Sequence, residues 1–254
     1  MITDTHAHLF WKSFDEDRAE VLERARAAGV TRILIVGTDV PTSKASFAMC
    51  ADEPHLFPTA GIHPHDAEEV SDEDRELIAE LCRRPECVAV GETGLDYFKE
   101  FSPRERQRAS FRWHLELARE LDKPVIVHCR DAHEDTVALI AEVPGVRGVM
   151  HCYTMGETEL APYLNAGFYI SFSGVVTYPK NDENRAAARA VPEDRILVET
   201  DCPFLAPQGK RGKRNEPAHV ALTLARVAEE RGVEIEELAR ITSANAARLF
   251  GLPE

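Results

Sequence analysis

Short apolar runs alternate with segments of helical spacing along the whole chain. Residues 31–37 form a short, almost continuous apolar run, and residues 124–128 contain the apolar run Val-Ile-Val, as expected of strands that are covered on both faces. Residues 16–29 instead place apolar side chains at helical spacing and end on a glycine. Eight such strands are predicted, and two further helices, at about 219–231 and 235–250, follow the last one. Because parallel strands need long crossovers, the pattern predicts an α/β protein, a (β/α)8 TIM barrel with extra C-terminal helices.

The competing interpretation is an open doubly wound sheet, but the glycine-rich phosphate loop that follows its first strand is missing. A length of 254 residues suits one barrel, and no linker, repeat or low-complexity segment interrupts the chain. We therefore predict one domain over residues 1–254. Within it, the sequence Ser-Pro-Arg-Glu at 102–105 has the pattern of a capping box, so Ser102 is expected to cap the helix that follows.

The charge balance limits the class of function. The chain has 30 Lys and Arg residues against 44 Asp and Glu residues, a formal net charge of −14. This argues against a protein that coats nucleic acid, although it allows a local grip on phosphates beside bound cations. No apolar run approaches the about 18 residues of a membrane span, and the N-terminus does not resemble a signal peptide, so we expect a cytoplasmic location and no membrane partner.

Polar side chains gather at the predicted strand ends, which form the active face of such barrels. In the first strand, Asp4, His6 and His8 fall on one face because strand side chains alternate. The other candidates at strand ends are His63, His65, Glu92, His128, His151, Glu199 and Asp201. Buried charges without partners are expensive, so this pattern favours metal ligands over core residues.

The types of these side chains also constrain the metal. Imidazoles and carboxylates without thiolates suit Zn, Mn, Fe or Co, and Mg less well. Six ligands are too many for one catalytic cation that keeps an open position, whereas they suit two ions bridged by a carboxylate. Glu92, whose strand lies between the two histidine groups, is the natural bridge. The cysteines that directly follow His128, His151 and Asp201 are expected to be reduced core residues.

Six segments of the chain closely resemble the TatD family of metal-dependent deoxyribonucleases, which belongs to the amidohydrolase-like barrels. They are Asp4-Thr5-His6-Ala7-His8, Gly61-Ile62-His63-Pro64-His65, Gly91-Glu92-Thr93-Gly94-Leu95-Asp96-Tyr97, His128-Cys129-Arg130, His151-Cys152 and Glu199-Thr200-Asp201-Cys202-Pro203.

The resemblance implies one metal held by His6, His8, Glu92 and Asp201, and a second held by Glu92, His128 and His151. Some family members take a third ion, for which Glu199 and His63 are candidates, while Asp4 would support the imidazoles of the first metal.

The expected chemistry is hydrolysis of a phosphodiester. Two divalent ions would make hydroxide available near neutral pH, and Asp201 is expected to accept the proton of the attacking water as general base. His63 is expected to hydrogen-bond a phosphate oxygen or to help the leaving group, and the alternative is a histidine that only supports the metal ligands. As the family implies, the expected substrate is DNA, single-stranded and degraded from the 3′ end, with RNA as a further candidate. The cofactors would be two ions, or three, of Zn, Mn or Mg.

Other residues are candidates for substrate binding. Arg130 lies two residues after His128, and the basic run at 210–214 contains Arg211, Lys213 and Arg214. These cations are expected to contact backbone phosphates. The alternatives are that Arg130 only neutralises Asp131 or Asp201 and that the basic run is a solvated loop. Tyr97 and Tyr153 follow strand ends and are candidates either for stacking on bases or for packing in the core or at its rim.

Two other functions fit the same residues. The metals could serve hydrolysis of an amide, ester or lactone, including D-aminoacyl-tRNA, because a barrel fold does not fix the chemistry. The site could instead be vestigial in a protein that only binds metal or a partner. A self-contained barrel also favours a monomer.

Overall fold

The computed structural model describes residues 1–253. Its eight strands are β1 (Ile2–Ala7), β2 (Val30–Val36), β3 (Leu56–Ala60), β4 (Ala89–Asp96), β5 (Val125–Arg130), β6 (Gly148–Met150), β7 (Tyr169–Phe172) and β8 (Ile196–Val198). Its α-helices are α1 (Arg18–Ala27), α2 (Val40–Cys50), α3 (Asp72–Arg83), α4 (Arg104–Glu120), α5 (His133–Glu142), α6 (Leu160–Asn165), α7 (Asp182–Ala190), α8 (Val220–Arg231) and α9 (Ile235–Phe250).

The strands form one sheet in the order β1 to β8, which is also their order along the chain. An α-helix lies between each pair of consecutive strands, and α8 and α9 follow β8. The defined pairs β1–β2, β3–β4, β4–β5, β5–β6 and β7–β8 are all parallel. This is the (β/α)8 barrel fold, so the predicted fold class is confirmed.

Two compact units divide the described chain. Unit 1 contains residues 1–35, 152–161 and those from 169 onward, and unit 2 contains residues 36–151 and 162–168. In unit 1 the fully buried side chains include Leu9, Phe14 and Phe172, and in unit 2 they include Phe111 and Ile126. Each unit therefore buries large apolar side chains of its own. The prediction of one domain over residues 1–254 stays a prediction.

Strand β4 is longer than the sequence predicts. The apolar run predicts an end at Glu92, but the strand continues to Asp96 and pairs with β5 from Thr93 to Asp96. The register shifts between Val90 and Thr93, and the Gly91–Glu92 peptide is cis. Gly94 allows the close approach of the two strands, because a Cβ atom there would lie 2.0 Å from the backbone oxygen of His128. The second half of β4 is rich in polar and glycine residues, so it lacks the apolar pattern by which the sequence predicts a strand.

The predicted cap of α4 is wrong. The residue at the N-cap is Pro103, and no side chain makes a capping hydrogen bond there. The hydroxyl of Ser102 instead donates to the backbone oxygen of His65 at 2.7 Å and accepts from the backbone nitrogen of Glu68 at 3.0 Å. The Ser102 hydroxyl therefore makes tertiary hydrogen bonds and does not make the cap of α4 that the local sequence predicts.

Candidate metal-binding site

In unit 1, His6, His8 and Asp201 form one cluster of potential ligands. The Nε2 atoms of His6 and His8 lie 3.2 Å apart, and Oδ1 of Asp201 lies 3.8 Å and 3.4 Å from them. Both histidines are buried, since His6 lies in the last part of β1 and His8 follows that strand directly. Two imidazole nitrogens this close to each other and to a carboxylate suit a shared cation.

Asp4 supports this cluster from behind. Its Oδ1 accepts hydrogen bonds from the backbone nitrogens of Thr200 (2.9 Å) and His6 (3.3 Å), and its Oδ2 accepts from the Thr200 hydroxyl at 2.6 Å. Burial raises the pKa of Asp4 to about 7, and the hydrogen bonds from Thr200 and His6 oppose that rise. Asp4 thus holds the backbone that carries His6 and Asp201, which is consistent with the supporting role expected from the sequence.

The segment after β8 is irregular, and its shape positions Asp201. The backbone nitrogen of Asp201 donates to the oxygen of His6 at 2.9 Å, and its φ of 57° lies in the left-handed region. The Cys202–Pro203 peptide that follows is cis. Glu199 is buried, and its Oε1 accepts a hydrogen bond of 2.7 Å from the backbone nitrogen of Cys152. Glu199 therefore contributes to the local structure of unit 1 whether or not it binds a third ion.

In unit 2, the carboxylate of Glu92 is surrounded by histidines. Its Oε1 atom lies 2.9 Å from Nε2 of His151, 3.1 Å from Nδ1 of His128 and 3.4 Å from Nε2 of His63. We call these four residues the Glu92 cluster. One carboxylate oxygen has two lone pairs and cannot accept good hydrogen bonds from three imidazoles, so the arrangement suits cation ligands better than a hydrogen-bonded core.

Asp96 is a functional candidate that the sequence analysis missed. Its Oδ2 lies 2.9 Å from Nε2 of His65 and 3.2 Å from Nε2 of His128. Burial acts to raise the pKa of Asp96, but hydrogen bonds from His128, the Lys99 backbone and His65 outweigh it and hold the pKa well below its usual range. The signal is present in the sequence, because Glu92 and Asp96 are four residues apart and share a face of a strand that continues past Glu92.

The histidines of the Glu92 cluster differ in their pKa shifts. Burial lowers the pKa of His63 to about 4, although the charge of Glu92 works in the opposite direction. For His128, burial also lowers the pKa, but hydrogen bonds with Asp96 and Glu92 outweigh it, and the net pKa is raised. His63 is therefore neutral near pH 7, the form in which an imidazole binds a metal or accepts a hydrogen bond.

Both clusters contain the donor types that divalent ions require. Ligand atoms of His63, Glu92 and His128 lie within 4.8 Å of one another, and no thiolate takes part. All three are imidazole or carboxylate donors, which suit the zinc or manganese expected from the sequence. The residues present therefore fit a divalent metal ion.

A family model for TatD related DNase matches residues 3–251. The chain belongs to the TatD family. YabD of Bacillus subtilis (strain 168), described as an uncharacterized metal-dependent hydrolase, is 43% identical over 253 residues, 98% of this chain and 99% of the relative. The 3′-5′ ssDNA/RNA exonuclease TatD of Klebsiella pneumoniae (strain 342) is 40% identical over 98% of this chain and 97% of its own.

A solved structure supports the same assignment. The crystal structure of YJJV, a TatD homologue from Escherichia coli K12, has a TM-score of 0.94 at 30% identity and covers 99% of this chain and 98% of that one. The protein is therefore a metal-dependent hydrolase of the TatD family, and the predicted family is confirmed. No helix of residues 1–253 has the length and hydropathy to span a bilayer.

In this TatD protein, the predicted stacking tyrosines are both engaged elsewhere. Tyr153 is only 2% exposed, and its hydroxyl donates to the backbone oxygen of Gly156 at 2.8 Å. The hydroxyl of Tyr97 donates to Asp135 at 2.5 Å, and the guanidinium of Arg104 covers its ring at 4.2 Å. A buried ring cannot stack on a base, so the predicted role of Tyr153 is wrong. The ring of Tyr97 is half-buried, and its stacking role stays a prediction.

The predicted phosphate-binding cations also differ in availability. Arg214 pairs both of its terminal nitrogens with Asp17, at 2.8 Å and 2.6 Å, and the hydrogen bond to Arg214 lowers the pKa of Asp17 to about 2. Arg211 is exposed and lies over the ring of Tyr178 at 4.6 Å, and Lys213 is exposed in the same loop. Arg211 and Lys213 thus remain available for phosphate, whereas Arg214 is held by a carboxylate.

Proposed function

We propose that this TatD protein hydrolyses phosphodiester bonds of single-stranded DNA from the 3′ end, with RNA as a further substrate. The observation that carries the proposal is the Glu92 cluster, in which three imidazole nitrogens lie within 3.4 Å of one carboxylate oxygen. The Klebsiella pneumoniae relative, 40% identical over nearly the whole chain, is named a 3′-5′ ssDNA/RNA exonuclease. We infer the substrate class of this chain from its similarity to that relative.

The proposed ligands follow the order of the family motifs. One ion would be held by His6, His8, Glu92 and Asp201, and a second by Glu92, His128 and His151. Glu199 and His63 are the proposed ligands of a third ion where one binds. When bound, divalent ions supply an activated nucleophile near neutral pH and offset charge on the phosphoryl oxygens.

Asp201 is the proposed general base. Its side chain is 13% exposed and lies 3.4 Å from Nε2 of His8, so its carboxylate is both accessible and oriented. In this role it accepts the proton of the attacking water. Its left-handed backbone, fixed by the hydrogen bond to His6, holds the carboxylate at the end of the last strand.

His63 is proposed to contact the substrate. Its Nε2 atom is 3.4 Å from Glu92, and its Nδ1 accepts a hydrogen bond of 3.1 Å from the backbone nitrogen of His65. Where no ion binds His63, that bond sets the tautomer with the proton on Nε2. His63 can thus donate a hydrogen bond to a phosphate oxygen when its ring turns from Glu92 to the substrate.

One panel of substrates tests this proposal against the alternatives. Metal-loaded protein is assayed on a 5′-labelled single-stranded oligonucleotide, on D-aminoacyl-tRNA and on a set of lactones. Stepwise shortening of the oligonucleotide from its 3′ end, with little turnover of the others, is the expected result. Turnover of D-aminoacyl-tRNA or a lactone with an intact oligonucleotide would overturn the nuclease assignment, and no turnover of any substrate would favour a vestigial site. The cytoplasmic location and the monomeric state stay predictions.

A further inference from the structure

Two exposed phenylalanines follow strand β4. Phe98 is 56% exposed and Phe101 is 64% exposed, while the chain buries most of its other aromatic rings. Large apolar side chains exposed on the same loop are costly in water and commonly mark a binding surface. We call Phe98, Lys99, Phe101 and Arg130 the platform.

Hydrogen bonds hold the loop that carries these rings. Oδ1 of Asp96 accepts from the backbone nitrogens of Phe98 (3.1 Å) and Lys99 (2.8 Å). The buried Gln107 donates from Nε2 to the backbone oxygens of Asp96 (3.1 Å) and Ser102 (2.8 Å). These hydrogen bonds to the backbone fix the conformation of the loop. The phenylalanine side chains themselves are mostly exposed and contribute little to the stability of the fold through burial.

Cations lie against the same rings. The Arg130 guanidinium is 3.9 Å from the centre of the Phe98 ring, and Nζ of Lys99 is 5.5 Å from Phe98 and 6.0 Å from Phe101. Lys99 thus lies near both rings. The neighbouring carboxylate of Glu100 is paired with Arg104, which leaves the cations of the platform without a competing anion from that residue. Although the chain has a net charge of −14, the platform combines two exposed aromatic rings with two cations. This combination suits an anionic ligand that contains flat rings.

The platform adjoins the Glu92 cluster. The ring of Phe101 is 4.7 Å from that of His65, and the His65 ring is 4.3 Å from that of His63. Asp96 connects the two directly, because its Oδ1 holds the loop while its Oδ2 contacts His65 and His128. A strand lying on the platform would therefore run past the residues proposed to bind metal.

We propose that the platform is a binding site for single-stranded nucleic acid, in which Phe98 and Phe101 stack on bases and Lys99 and Arg130 bind the backbone phosphates. The proposal rests on the proposed function for its ligand class. Stacking suits any base because each has a π-face, and a cation near both rings suits the phosphate that joins two stacked nucleotides. The stacking role predicted for the buried Tyr153 is thus assigned to the exposed Phe98 and Phe101.

Binding to a nuclease-resistant phosphorothioate oligothymidylate tests the site without relying on turnover. The full-length purified protein is titrated against this labelled oligomer and against an abasic oligomer of the same length and backbone. The Phe98→Ala/Phe101→Ala variant should raise the Kd for oligothymidylate by about tenfold or more and leave that for the abasic oligomer nearly unchanged. Leu222→Ala, which truncates an exposed apolar side chain on α8, should change neither.

Several outcomes would overturn the platform as a base-stacking site. Unchanged affinity of the double variant for oligothymidylate would do so, as would an equal loss on both oligomers. Weaker binding of the double variant to oligothymidylate but not to oligouridylate would also exclude stacking, because stacking on a base does not depend on whether the sugar is ribose or deoxyribose. If the wild type sediments as a dimer that the double variant dissociates, the rings are an interface between copies instead.

A second variant distinguishes contacts to the backbone phosphates from contacts to the bases. Lys99→Gln should weaken binding of both oligomers by a similar factor and reduce the dependence of binding on salt. A loss limited to oligothymidylate would contradict the phosphate role of Lys99. Because these are binding measurements, failure of the nuclease proposal is seen separately, as no cleavage of any phosphodiester oligonucleotide by metal-loaded wild type.

Discussion

Oδ2 of Asp96 lies 3.2 Å from Nε2 of His128, on the side of the imidazole opposite to Glu92. Because the pKa of Asp96 is held well below its usual range, its carboxylate is charged and accepts a hydrogen bond from Nε2. Nδ1 of His128, on the other side of the ring, is directed toward Glu92. A carboxylate behind a histidine is a common way to orient a metal ligand and raise its basicity.

Replacing Asp96 by Asn should therefore weaken metal binding without unfolding the loop. The amide oxygen of Asn can still accept the hydrogen bonds from Phe98 and Lys99, but the charge that faces His128 is lost. We expect metal affinity to fall about 10- to 100-fold, as measured by competition with a chelator of known affinity. Asp135→Asn, at an aspartate that contacts Tyr97 and Arg108, is the control and should bind metal as the wild type does. Equal metal affinities of D96N and wild type would show that Asp96 does not support metal binding.

The loop after β8 should contribute to binding through Arg211 and Lys213 and not through Arg214. The Arg211→Gln/Lys213→Gln variant removes two exposed cations, so the slope of log K against log salt for a single strand should fall by about 1.4. Arg214→Gln should leave this slope unchanged, because Asp17 already neutralises that guanidinium. Fluorescence anisotropy with a resistant oligonucleotide at several salt concentrations measures both. A reduced slope only in R214Q would reverse the assignment.

His114 should make the stability of the protein depend on pH. It is fully buried, accepts a hydrogen bond of 3.1 Å from the backbone nitrogen of Ile62, and has its pKa lowered by burial from 6.5 to about 4. As pH falls from 6.5 toward 4, the unfolded chain binds a proton that the folded chain excludes, so stability decreases in that window and is fully present above it.

The matched variant isolates this contribution. Between pH 7.5 and pH 5.0, wild type should lose about 2 kcal/mol more of its free energy of unfolding than His114→Gln, as measured by urea denaturation. Taking the difference between the two proteins cancels the other titrating groups, including the histidines of the Glu92 cluster. Parallel pH profiles would show that His114 is protonated equally in both states.

Gly94 should be irreplaceable for steric reasons. Its φ is +136°, and a Cβ atom would lie 2.0 Å from the backbone oxygen of His128. Gly94→Ala should lower the free energy of unfolding by roughly 3 kcal/mol or more, or prevent folding. Gly145→Ala is the control, because Gly145 also has a positive φ of 87° but a Cβ added there would meet no atom within 4 Å, so it should cost only about 1 kcal/mol. Denaturation midpoints compare the two, and similar losses would mean that the strands can separate at Gly94.

The fold was predictable because its signal is repeated along the chain. Buried parallel strands need continuous apolar runs, and the helices between them need helical spacing, so each βα unit repeats the same information. The candidate ligands were predictable for a related reason. Residues such as His6 and Glu92 are polar side chains at places where an apolar one would serve the core better.

The side chains that the sequence misassigned depend on distant partners. Nothing near Tyr153 in the sequence indicates that its ring is buried in unit 1, and nothing near Arg214 reveals Asp17, which lies 197 residues earlier. Asp96 was missed because polar and glycine residues make β4 look shorter than it is. These errors share one cause, since local patterns do not specify the tertiary neighbours of a side chain.

The most direct test of the account is the rate at which nucleotides are released from a 5′-labelled single strand as metal is removed and restored. Treatment with a chelator should abolish release by the wild type, and added Mn²⁺ or Mg²⁺ should restore it, while Glu92→Gln and Asp201→Ala, folded as judged by circular dichroism, should stay inactive. Full release by the chelated protein, or restored release by either variant, would contradict a metal-dependent nuclease built on these residues.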